Sequence, residues 1–412
     1  MDFIHSKKLH GSTIVLVDLD ERKLAVTTNL SRKLPEAGAA DYMIESTTDR
    51  KSALPGADFV IVSVEINRWP LWHKDLDIPK QFGIDQAQGE NGGPGGLFHA
   101  MRQIPPIVEI CQDVERLCPD ALVINLSNPM SRISQAVHDY TNVKYIGWCH
   151  EIVDGNKYLS AILGIPRERL HVVAAGINHF TWYQKIQDKQ TGEDLYPKVR
   201  ELVPANVFRD RLLVADLLRL TGLLCVTSDS HAGEYVRGGH IWRADWAPDM
   251  EPFDFFGAYQ IFLADVDKQM DQLIAGQYPI DDFLNNPTDE VVDEIIETTI
   301  TGGEKRFDAF NLPNRGQIPN LPADCIVETP AVIKGEEFGG EPVEPLPTII
   351  AEWCRQQTII HKLNSMAAME GDWQAALEAM LLDTAVPDRF TAEKCLDTML
   401  AAHREYLSRF HA

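Results

Sequence analysis

Long apolar runs and close cysteine pairs are both missing from this sequence. No run reaches the about 18 residues of a membrane-spanning helix, and the opening MDFIHSKKLHGS lacks the apolar core of a signal peptide. The seven cysteines form no C-x-x-C pair, which argues against a zinc motif or a disulfide framework. We therefore predict a cytoplasmic protein with reduced thiols and no membrane partner.

Basic residues are scarce as well. The chain has 38 lysines and arginines against 61 aspartates and glutamates, which leaves a net charge of −23. An acidic surface repels nucleic-acid phosphates and does not bind them non-specifically, so we predict no nucleic-acid partner. An anionic ligand would need a local pocket of arginine, metal ion or helix N-termini. Otherwise the 412 residues, 44% of them apolar, are typical of a globular protein of two or three domains.

Several catalytic motifs are also absent. The sequence contains neither the G-x-S-x-G elbow of serine hydrolases nor the H-E-x-x-H motif of zinc proteases. The glycine-rich stretch GENGGPGGLF (89–98) lacks the lysine of a P-loop, so we interpret it as a flexible loop before a helix. With 61 acidic residues, the sequence cannot nominate a pair of glycosidase carboxylates.

Apolar runs that read as buried strands alternate with helical segments in the first part of the chain. The runs are TIVLV, ADFVIVSVE, ALVINL, VKYIGWC and LHVVAAGIN. This alternation predicts an α/β fold with a doubly wound parallel, Rossmann-like sheet, as in lactate and malate dehydrogenases. We place this domain at residues 1–180 and a mixed α+β substrate and oligomerisation domain at residues 181–412.

The beginning of the predicted sheet departs from a complete dinucleotide-binding unit. Asp18 stands at the end of a strand, where such proteins carry the acid that holds the ribose, yet no G-x-G turn precedes it. We therefore expect that the chain starts partway through the unit, without the first strand and the glycine loop.

Polar residues follow most of the predicted strands. They are Asp18, Glu65, Asn67, Asn125, Asn128, Cys149, His150, Asn178 and His179. Ligands of open α/β sheets bind at the carboxyl ends of the strands, so a shared crevice explains these residues better than unrelated polar turns. Within it we assign Asp18, Glu65, Asn67 and Asn125 to a cofactor.

Two short segments carry groups suited to metal chemistry. Cys149 and His179, on strands that we take as neighbours, offer a thiolate and an imidazole to a divalent metal such as zinc, iron or manganese. A cysteine at a strand end is, however, more often a core residue. The segment SDSHAGEY adds Tyr235, which a metal could convert into a general base. The alternative for this segment is a solvated loop.

In order along the chain, these blocks resemble glycoside hydrolase family 4, the NAD- and metal-dependent glycosidases. The matching segments include IVLVDLD, KDLDIPKQFGIDQAQGENGGPGGLFHAMRQIP, CPDALVINLSNP, IGWCHE, AAGINHF, SDSHAGEY and NLPNRGQIPNLPADCIVETPA. The resemblance implies NAD and a divalent metal, usually Mn²⁺, as cofactors. It also implies oxidation of the sugar at C3, removal of the C2 proton, elimination of the aglycone, addition of water and return of the hydride.

The resemblance also implies a role for individual residues. Cys149 and His179 match the metal ligands, Tyr235 the base, and His150 the acid that assists the leaving group. Asp18 matches the ribose-binding acid. For the substrate we expect contacts from Asn128, Asn178 and Arg102, with Arg237 and Arg315 as other possible partners of a carboxylate.

The tetrapeptide that begins at Cys149 bears on the substrate. Cys-His-Glu-Ile looks most like the Cys-His-Glu-Val of family members that act as α-galacturonidases, so we predict hydrolysis of a terminal α-galacturonide. Glu151 would repel a uronate unless it faces away or pairs with a cation. An α-glucuronide or an α-galactoside is the alternative substrate.

A 2-hydroxyacid dehydrogenase and a non-catalytic sugar-binding protein remain as other classes of protein for this sequence. A homodimer or homotetramer is expected from the resemblance.

Overall fold

The computed structural model describes residues 2–206, 208, 210–239, 254–277, 280–285 and 288–411. The strands are β1 Ser12–Val17, β2 Tyr42–Thr47, β3 Phe59–Val62, β4 Leu122–Asn125, β5 Lys144–Gly147, β6 Leu170–Ile177, β7 Phe180–Asp188, β8 Glu304–Pro313, β9 Ile326–Lys334 and β10 Glu337–Gly340. The helices are α1 Asp2–His5, α2 Glu21–Gly38, α3 Arg50–Ala53, α4 Arg68–Lys80, α5 Gly93–Leu117, α6 Met130–Tyr140, α7 Glu151–Leu163, α8 Tyr196–Ala205, α9 Leu212–Thr221, α10 Asp229–Ala232, α11 Phe255–Ile274, α12 Ile280–Leu284, α13 Val292–Ile300, α14 Thr348–Glu370, α15 Trp373–Leu382 and α16 Arg389–Ala402.

The strands form two sheets. In the larger one, the order is β3-β4-β5-β8-β9-β6-β7, with β10 beside β9. Its first three strands are parallel and the rest are antiparallel. β1 and β2 form a separate parallel pair. The predicted Rossmann-like α/β architecture is therefore confirmed, although β6 belongs to an antiparallel hairpin and not to a parallel crossover.

Strands from both predicted domains share the larger sheet. β5 pairs with β8, and the C-terminal helix α14 packs against α5 and α6. Buried apolar residues of α5, α6, α15 and α16 form one continuous core cluster. The boundary at residue 180 stays a prediction, because the sheet and these helices join the two parts into one packed body.

The glycine-rich stretch before α5 is packed, which corrects the prediction of a flexible loop. Residues 88–104 are all buried. A Cβ placed on Gly92 would approach the Glu234 carbonyl oxygen to 2.6 Å, and one on Gly96 would approach the Asn91 carbonyl carbon to 2.5 Å. Glycine is required here because two backbone segments touch.

α11 differs from its expected packing. The apolar pattern over residues 257–276 predicts an amphipathic helix with a broad apolar face, and a helix is found there, but part of that face is exposed. Ile261 is 68% exposed and Phe262 is 59% exposed. The side chain of Leu273, which belonged to the predicted apolar face, lies outside the described residues. In the described part of the chain, no helix has the length and apolar character needed to cross a bilayer.

Candidate active site

Cys149 and His179 are in contact, as expected for a shared metal ion. Their strands were predicted to be neighbours, and in the structure they are not. β8 and β9 lie between β5 and β6. Four paired residues run across these strands, one from each: Gly147 of β5, Asn311 of β8, Glu328 of β9 and Gly176 of β6. Cys149 follows β5, and His179 occupies the two-residue turn of the β6–β7 hairpin with a φ of 61°. Cys149 Sγ lies 3.4 Å from His179 Nε2.

A buried carboxylate organises the floor of this site. The two oxygens of Glu328 accept hydrogen bonds from Asn311 Nδ2 (2.8 Å), Asn178 Nδ2 (3.0 Å) and Thr181 Oγ1 (2.5 Å). These bonds connect β8, β9 and the β6–β7 hairpin. Burial raises the pKa of Glu328. The network therefore fixes the turn that carries His179.

Three side chains from three distant segments form a candidate metal site. Ligand atoms of Glu90, His179 and His231 all lie within 4.8 Å of one another, and the Cys149 thiol is beside His179. The rings of His179 and His231 have centroids 4.0 Å apart. Imidazole, thiolate and carboxylate together suit a borderline divalent metal. Burial and the neighbouring His231 hold the pKa of His179 well below its ordinary value, so its ring is neutral, as a metal ligand must be.

Asn91 controls which nitrogen of His179 carries the proton. Its Nδ2 lies 2.9 Å from His179 Nδ1. With the amide donating, the proton sits on Nε2, which faces Cys149. With the amide turned over, its oxygen accepts from Nδ1–H and frees the Nε2 lone pair for a metal. The contact therefore fixes the orientation of the ring and couples its tautomer to the Asn91 amide.

Glu234 ties the glycine-rich stretch to the segment of His231 and Tyr235. Its Oε1 accepts three consecutive backbone N–H bonds, from Glu90 (2.8 Å), Asn91 (3.0 Å) and Gly92 (3.1 Å). Negative charge at the beginning of α5 is also favoured by the helix dipole. The predicted solvated loop around SDSHAGEY is therefore wrong: residues 232–236 are buried against this stretch.

Charged neighbours hold Glu90 ionised. Arg68 donates to its Oε1, and Gln88 Nε2 donates to its Oε2 at 2.7 Å. Although burial opposes ionisation, Arg68 and the nearby histidines hold the pKa of Glu90 far below its ordinary value. The carboxylates of Glu234, Glu90 and Glu151 likewise raise the pKa of His231 against the effect of burial. The cluster thus presents anionic oxygens to a cation.

Tyr235 lies at the inner wall of the same site. It is 2% exposed, and its hydroxyl donates to the Asn178 carbonyl oxygen at 3.3 Å. Burial, and then the charge of Glu234, raise the pKa of Tyr235 well above its ordinary value, while Arg132 opposes that rise. Ionisation of this phenol therefore depends on a positive charge at the site.

His150 and Asn128 lie at the edge of the site. The ring of His150 is 58% exposed and lies 3.6 Å from an Asp154 oxygen and 3.7 Å from a Glu290 oxygen. Asn128 is half-buried just before α6, where its Oδ1 accepts the backbone N–H of Met130 at 3.2 Å. Both remain candidates for the roles predicted from the sequence.

The residues predicted for the cofactor are spread over the surface and the interior. Asp18 is exposed after β1, with Oδ1 accepting the Asp20 N–H at 2.8 Å. Glu65 pairs with Arg68, and Asn67 donates to the Tyr406 hydroxyl. Asn125 is fully buried, and its amide group bonds both the N–H and the carbonyl oxygen of Ser127. Asn125 therefore shapes a turn, and its direct contact with a cofactor stays a prediction.

Arg102 forms a buried ion pair. Its two terminal nitrogens donate to the two oxygens of Asp75, at 2.9 and 2.5 Å, and Asp75 also contacts His403 at 3.2 Å. The Arg102 and Asp75 side chains are 2% and 1% exposed. This bidentate ion pair holds Arg102 in the core, and its contact with the substrate stays a prediction.

Some residues of the site escaped the sequence reasoning. Glu90 lies in the stretch interpreted as a plain loop, and Glu328 and Arg132 were not singled out. The only signal in the sequence was the presence of Glu90 and His231 in the blocks GENGG and SDSHAGEY. Their shared position depends on contacts between segments more than 100 residues apart, as the Glu90–Glu234 bond, separated by 144 residues, illustrates.

Comparison with known proteins defines the class of this chain. Residues 1–165 match the model of "Family 4 glycosyl hydrolase", and residues 174–386 match its C-terminal domain. The chain therefore belongs to glycoside hydrolase family 4, a family of NAD-dependent glycosidases. The predicted family is confirmed, and the dehydrogenase and non-catalytic classes are set aside.

Two curated relatives are similar over nearly the whole chain. An "Alpha-glucosidase" of Erwinia rhapontici is 32% identical, covering 99% of this chain and 95% of the relative. An "Alpha-galacturonidase" of Lachnoclostridium phytofermentans is 27% identical, covering 96% and 91%. Family membership is thus shared by relatives with neutral and with acidic substrates.

Solved structures agree with the fold. A "putative glucosidase lplD" of Bacillus subtilis superposes with a TM-score of 0.85 at 26% identity, covering 97% of this chain and 95% of that one. A "6-phospho-alpha-glucosidase from Gut Microorganisms in Complex with NAD and Mn2+" has a TM-score of 0.82 at 21% identity, with 98% and 94% covered. A malate dehydrogenase of Plasmodium falciparum superposes with a TM-score of 0.51 at 13% identity, with 87% and 90% covered. The last two likenesses concern the fold alone.

Proposed function

We propose that this enzyme hydrolyses terminal α-linked galacturonic acid, with NAD and a divalent metal, Mn²⁺, as cofactors. The observation that carries the proposal is the buried cluster around Cys149, whose cysteine begins the tetrapeptide Cys-His-Glu-Ile. Relatives described as α-galacturonidases support the substrate, and the similar structure in complex with NAD and Mn²⁺ supports the cofactors.

The donor atoms fit a divalent metal. Cys149, His179, His231 and Glu90 would hold it, and Arg68 and Asn91 keep two of these ligands in place. For NAD, the exposed carboxylate of Asp18 at the carboxyl end of β1 is suited to the ribose hydroxyls. When bound, NAD supplies a reversible hydride acceptor for C3 of the sugar, and the metal supplies a Lewis acid for the sugar oxygens.

The side chains of this chain would then carry the proton transfers. Tyr235 Oη removes the C2 proton once positive charge at the site favours its ionised form. His150, at the exposed edge, protonates the departing glycosidic oxygen. Asn128 and Asn178 orient the sugar hydroxyls. The burial of His179 and Tyr235 keeps bulk water away until the bond has broken.

Glu151 becomes compatible with an acidic substrate. Neither of its buried oxygens has a hydrogen bond, and burial raises its pKa to about 7. The raised pKa favours the neutral acid, and a neutral carboxyl repels a uronate less than a carboxylate does.

The second candidate is a neutral α-glycoside, and the 32% identity to an α-glucosidase favours it. The same catalytic residues serve both substrates, since the redox steps occur at C2 and C3 and the uronate differs at C6. An α-galactoside is another neutral substrate of this kind, whereas an α-glucuronide is the acidic alternative to the galacturonide.

A two-by-two assay tests the proposal. Release of the aglycone from a synthetic α-galacturonide is measured with and without NAD and with and without Mn²⁺, under reducing conditions. The α-glucoside, α-galactoside and α-glucuronide serve as controls. We expect release only with both cofactors and a clear preference for the galacturonide. Faster release from a neutral glycoside would transfer the assignment to the second candidate, and release without NAD would contradict the redox mechanism.

We also propose a cytoplasmic homodimer or homotetramer acting on a small uronide. The seven cysteines are all free and buried, as in reducing compartments, and the exposed Ile261 and Phe262 of α11 provide apolar surface for a second copy. Sedimentation of the purified enzyme measures the assembly, and a monomer at micromolar concentration would contradict it.

A further inference from the structure

Arg132 is a buried cation with three of its five N–H donors unused. It is the third residue of α6 and is 1% exposed. One terminal nitrogen, Nη1, donates to Asn364 Oδ1 at 2.8 Å. Its Nε and Nη2 are buried without a hydrogen-bond partner. Burying a charge in this state costs free energy, because the guanidinium loses its hydration shell and one hydrogen bond does not compensate for that loss.

The two unused donors form one edge of the guanidinium. Nε–H and Nη2–H point in parallel, which is the arrangement that binds the two oxygens of a carboxylate. Among the described residues, no carboxylate oxygen forms an ion pair with Arg132 within 4.0 Å, although Asp383 and Glu234 are near enough to influence its pKa. The free edge is therefore suited to an anion from outside the chain.

The position of Arg132 links this edge to the active site. The preceding residue, Ser131, accepts the backbone N–H of Asn178 through its Oγ at 3.2 Å, and the Asn178 carbonyl oxygen accepts from Tyr235. Arg132 also influences the pKa of Tyr235. The residue before Arg132 is thus bonded to the turn that carries His179, and the beginning of α6 adds the positive end of a helix dipole.

α14 contributes further unused polar groups on the same side. Gln357, His361 and Ser365 recur every four residues, all at most 1% exposed. Gln357 Oε1, His361 Nδ1 and Ser365 Oγ have no hydrogen-bond partner. Asn364, which holds Arg132, lies on this helix too. α14 therefore carries buried polar groups without a partner in addition to the residue that holds Arg132, and burial together with the Arg132 charge lowers the pKa of His361.

Arg102 is a second buried arginine in the same protein. Both of its terminal nitrogens donate to Asp75, and only its Nε is buried without a partner. Arg132 has an amide partner for one nitrogen and nothing for the opposite edge. The contrast points to recognition of a ligand at Arg132 and not to support of the fold.

We propose that Arg132 is the specificity-determining residue for an acidic sugar, binding the C6 carboxylate of the uronide through its Nε–Nη2 edge. This inference rests on the proposed function, since it names the residue that would distinguish a uronide from a neutral glycoside. Arg132 would contact the substrate carboxylate directly, whereas it acts on the proton transfer only through its charge near Tyr235.

The test compares one substitution on two substrates. In Arg132→Met, kcat/KM for the α-galacturonide should fall by about 100-fold or more, because a buried bidentate carboxylate contact is lost. The kcat/KM for the matching α-galactoside should fall at least about tenfold less, because that substrate loses only the effect of the Arg132 charge on Tyr235. Arg132→Lys keeps the charge but not the bidentate edge and should give an intermediate loss. Arg404→Met, at an exposed arginine, controls for the chemical change.

Binding provides a second readout. Calorimetric titration of the wild type should detect galacturonic acid more tightly than galactose, and Arg132→Met should remove that difference. Equal losses on both substrates in Arg132→Met would overturn the inference and leave the proposed function standing. A wild type that prefers neutral glycosides and does not bind galacturonic acid would instead overturn the proposed function.

If the variants fail to fold, a crystal structure of the wild type tests the contact between the substrate carboxylate and Arg132. In the wild type with galacturonic acid, the carboxylate oxygens should lie within hydrogen-bond distance of Nε and Nη2 of Arg132. Ordered water at that edge, with the sugar carboxylate elsewhere, would contradict the inference.

Discussion

The buried cluster and the β1–β2 pair represent two different ways of preparing a site. His179 and Glu234 are 4% and 5% exposed, and their positions are fixed by hydrogen bonds from several segments. Asp18, by contrast, is exposed beside a strand pair that is not bonded to the larger sheet. The catalytic groups are therefore held before any ligand arrives, whereas the predicted cofactor contact faces solvent.

This difference follows from what each region must do. Metal ligands need fixed positions, since their mutual repulsion and desolvation have to be offset by the surrounding bonds. A ribose-binding acid only needs to be accessible at the end of a strand. Substitutions in the cluster should therefore have large effects, and substitutions at the exposed edge should have small ones.

The largest effect is expected for Cys149→Ser. Loss of the thiolate should lower both bound Mn²⁺ and turnover by at least about 100-fold, more than is typical for a residue that only supports a ligand. Atomic absorption on the dialysed protein and the aglycone assay provide the two measurements. Cys395→Ser, at a buried cysteine of α16, is the matched control and should keep its metal. Full metal loading in Cys149→Ser would remove the cysteine from the ligand set.

Tyr235→Phe should lower turnover by about 100- to 10,000-fold, the range for loss of a general base. Exchange of the C2 proton with deuterated solvent, followed by NMR, isolates that step. Tyr158→Phe is the control, because the Tyr158 hydroxyl is buried without a hydrogen bond. Exchange at the wild-type rate in Tyr235→Phe would assign the proton transfer to another group.

Asp75→Asn tests the buried pair that supports the site from α4 and α5. It leaves Arg102 buried and unpaired, so we expect the free energy of unfolding to fall by about 3–5 kcal/mol at pH 7. Although burial opposes it, Arg102 and His403 lower the pKa of Asp75 below 3.8. Its contribution is thus complete above about pH 3.8 and disappears as the pH falls through the lowered value.

Urea unfolding of the wild type and the variant between pH 7 and pH 3 measures this dependence. The difference between the two should narrow only in the acid part of the range. Asp120→Asn, at an exposed aspartate, should show little difference at any pH. A constant difference down to pH 3 would show that Asp75 acts through packing and not through its charge.

Asp18→Ala should have the smallest effect. Removal of one charged acceptor from a ribose should weaken NAD binding by about tenfold, without changing the metal content. Titration of NAD by fluorescence or calorimetry gives the dissociation constant, with Asp41→Ala as the control at another exposed aspartate. A loss as large as that of Cys149→Ser would mean that the exposed edge is as essential as the cluster.

The strands and their polar ends could be predicted because they depend on local patterns. TIVLV, ADFVIV and LHVVAAGI each became a strand, since short apolar runs bounded by breaks bury themselves in a sheet. The order of the strands could not be predicted. The hairpin of β8 and β9 lies between β5 and β6, although it begins more than 120 residues after the end of β6. No local sequence pattern predicts that pairing.

By itself, the sequence determined the class of protein and nominated Cys149, His179 and Tyr235, because their chemistry resides in short blocks. The tertiary structure decided which partners these residues have. It brought Glu90 and His231 to His179, paired Arg102 with Asp75, and left one edge of Arg132 unpaired. Pairing and burial depend on segments far apart along the chain, and they determine whether an arginine supports the fold or is available to a ligand.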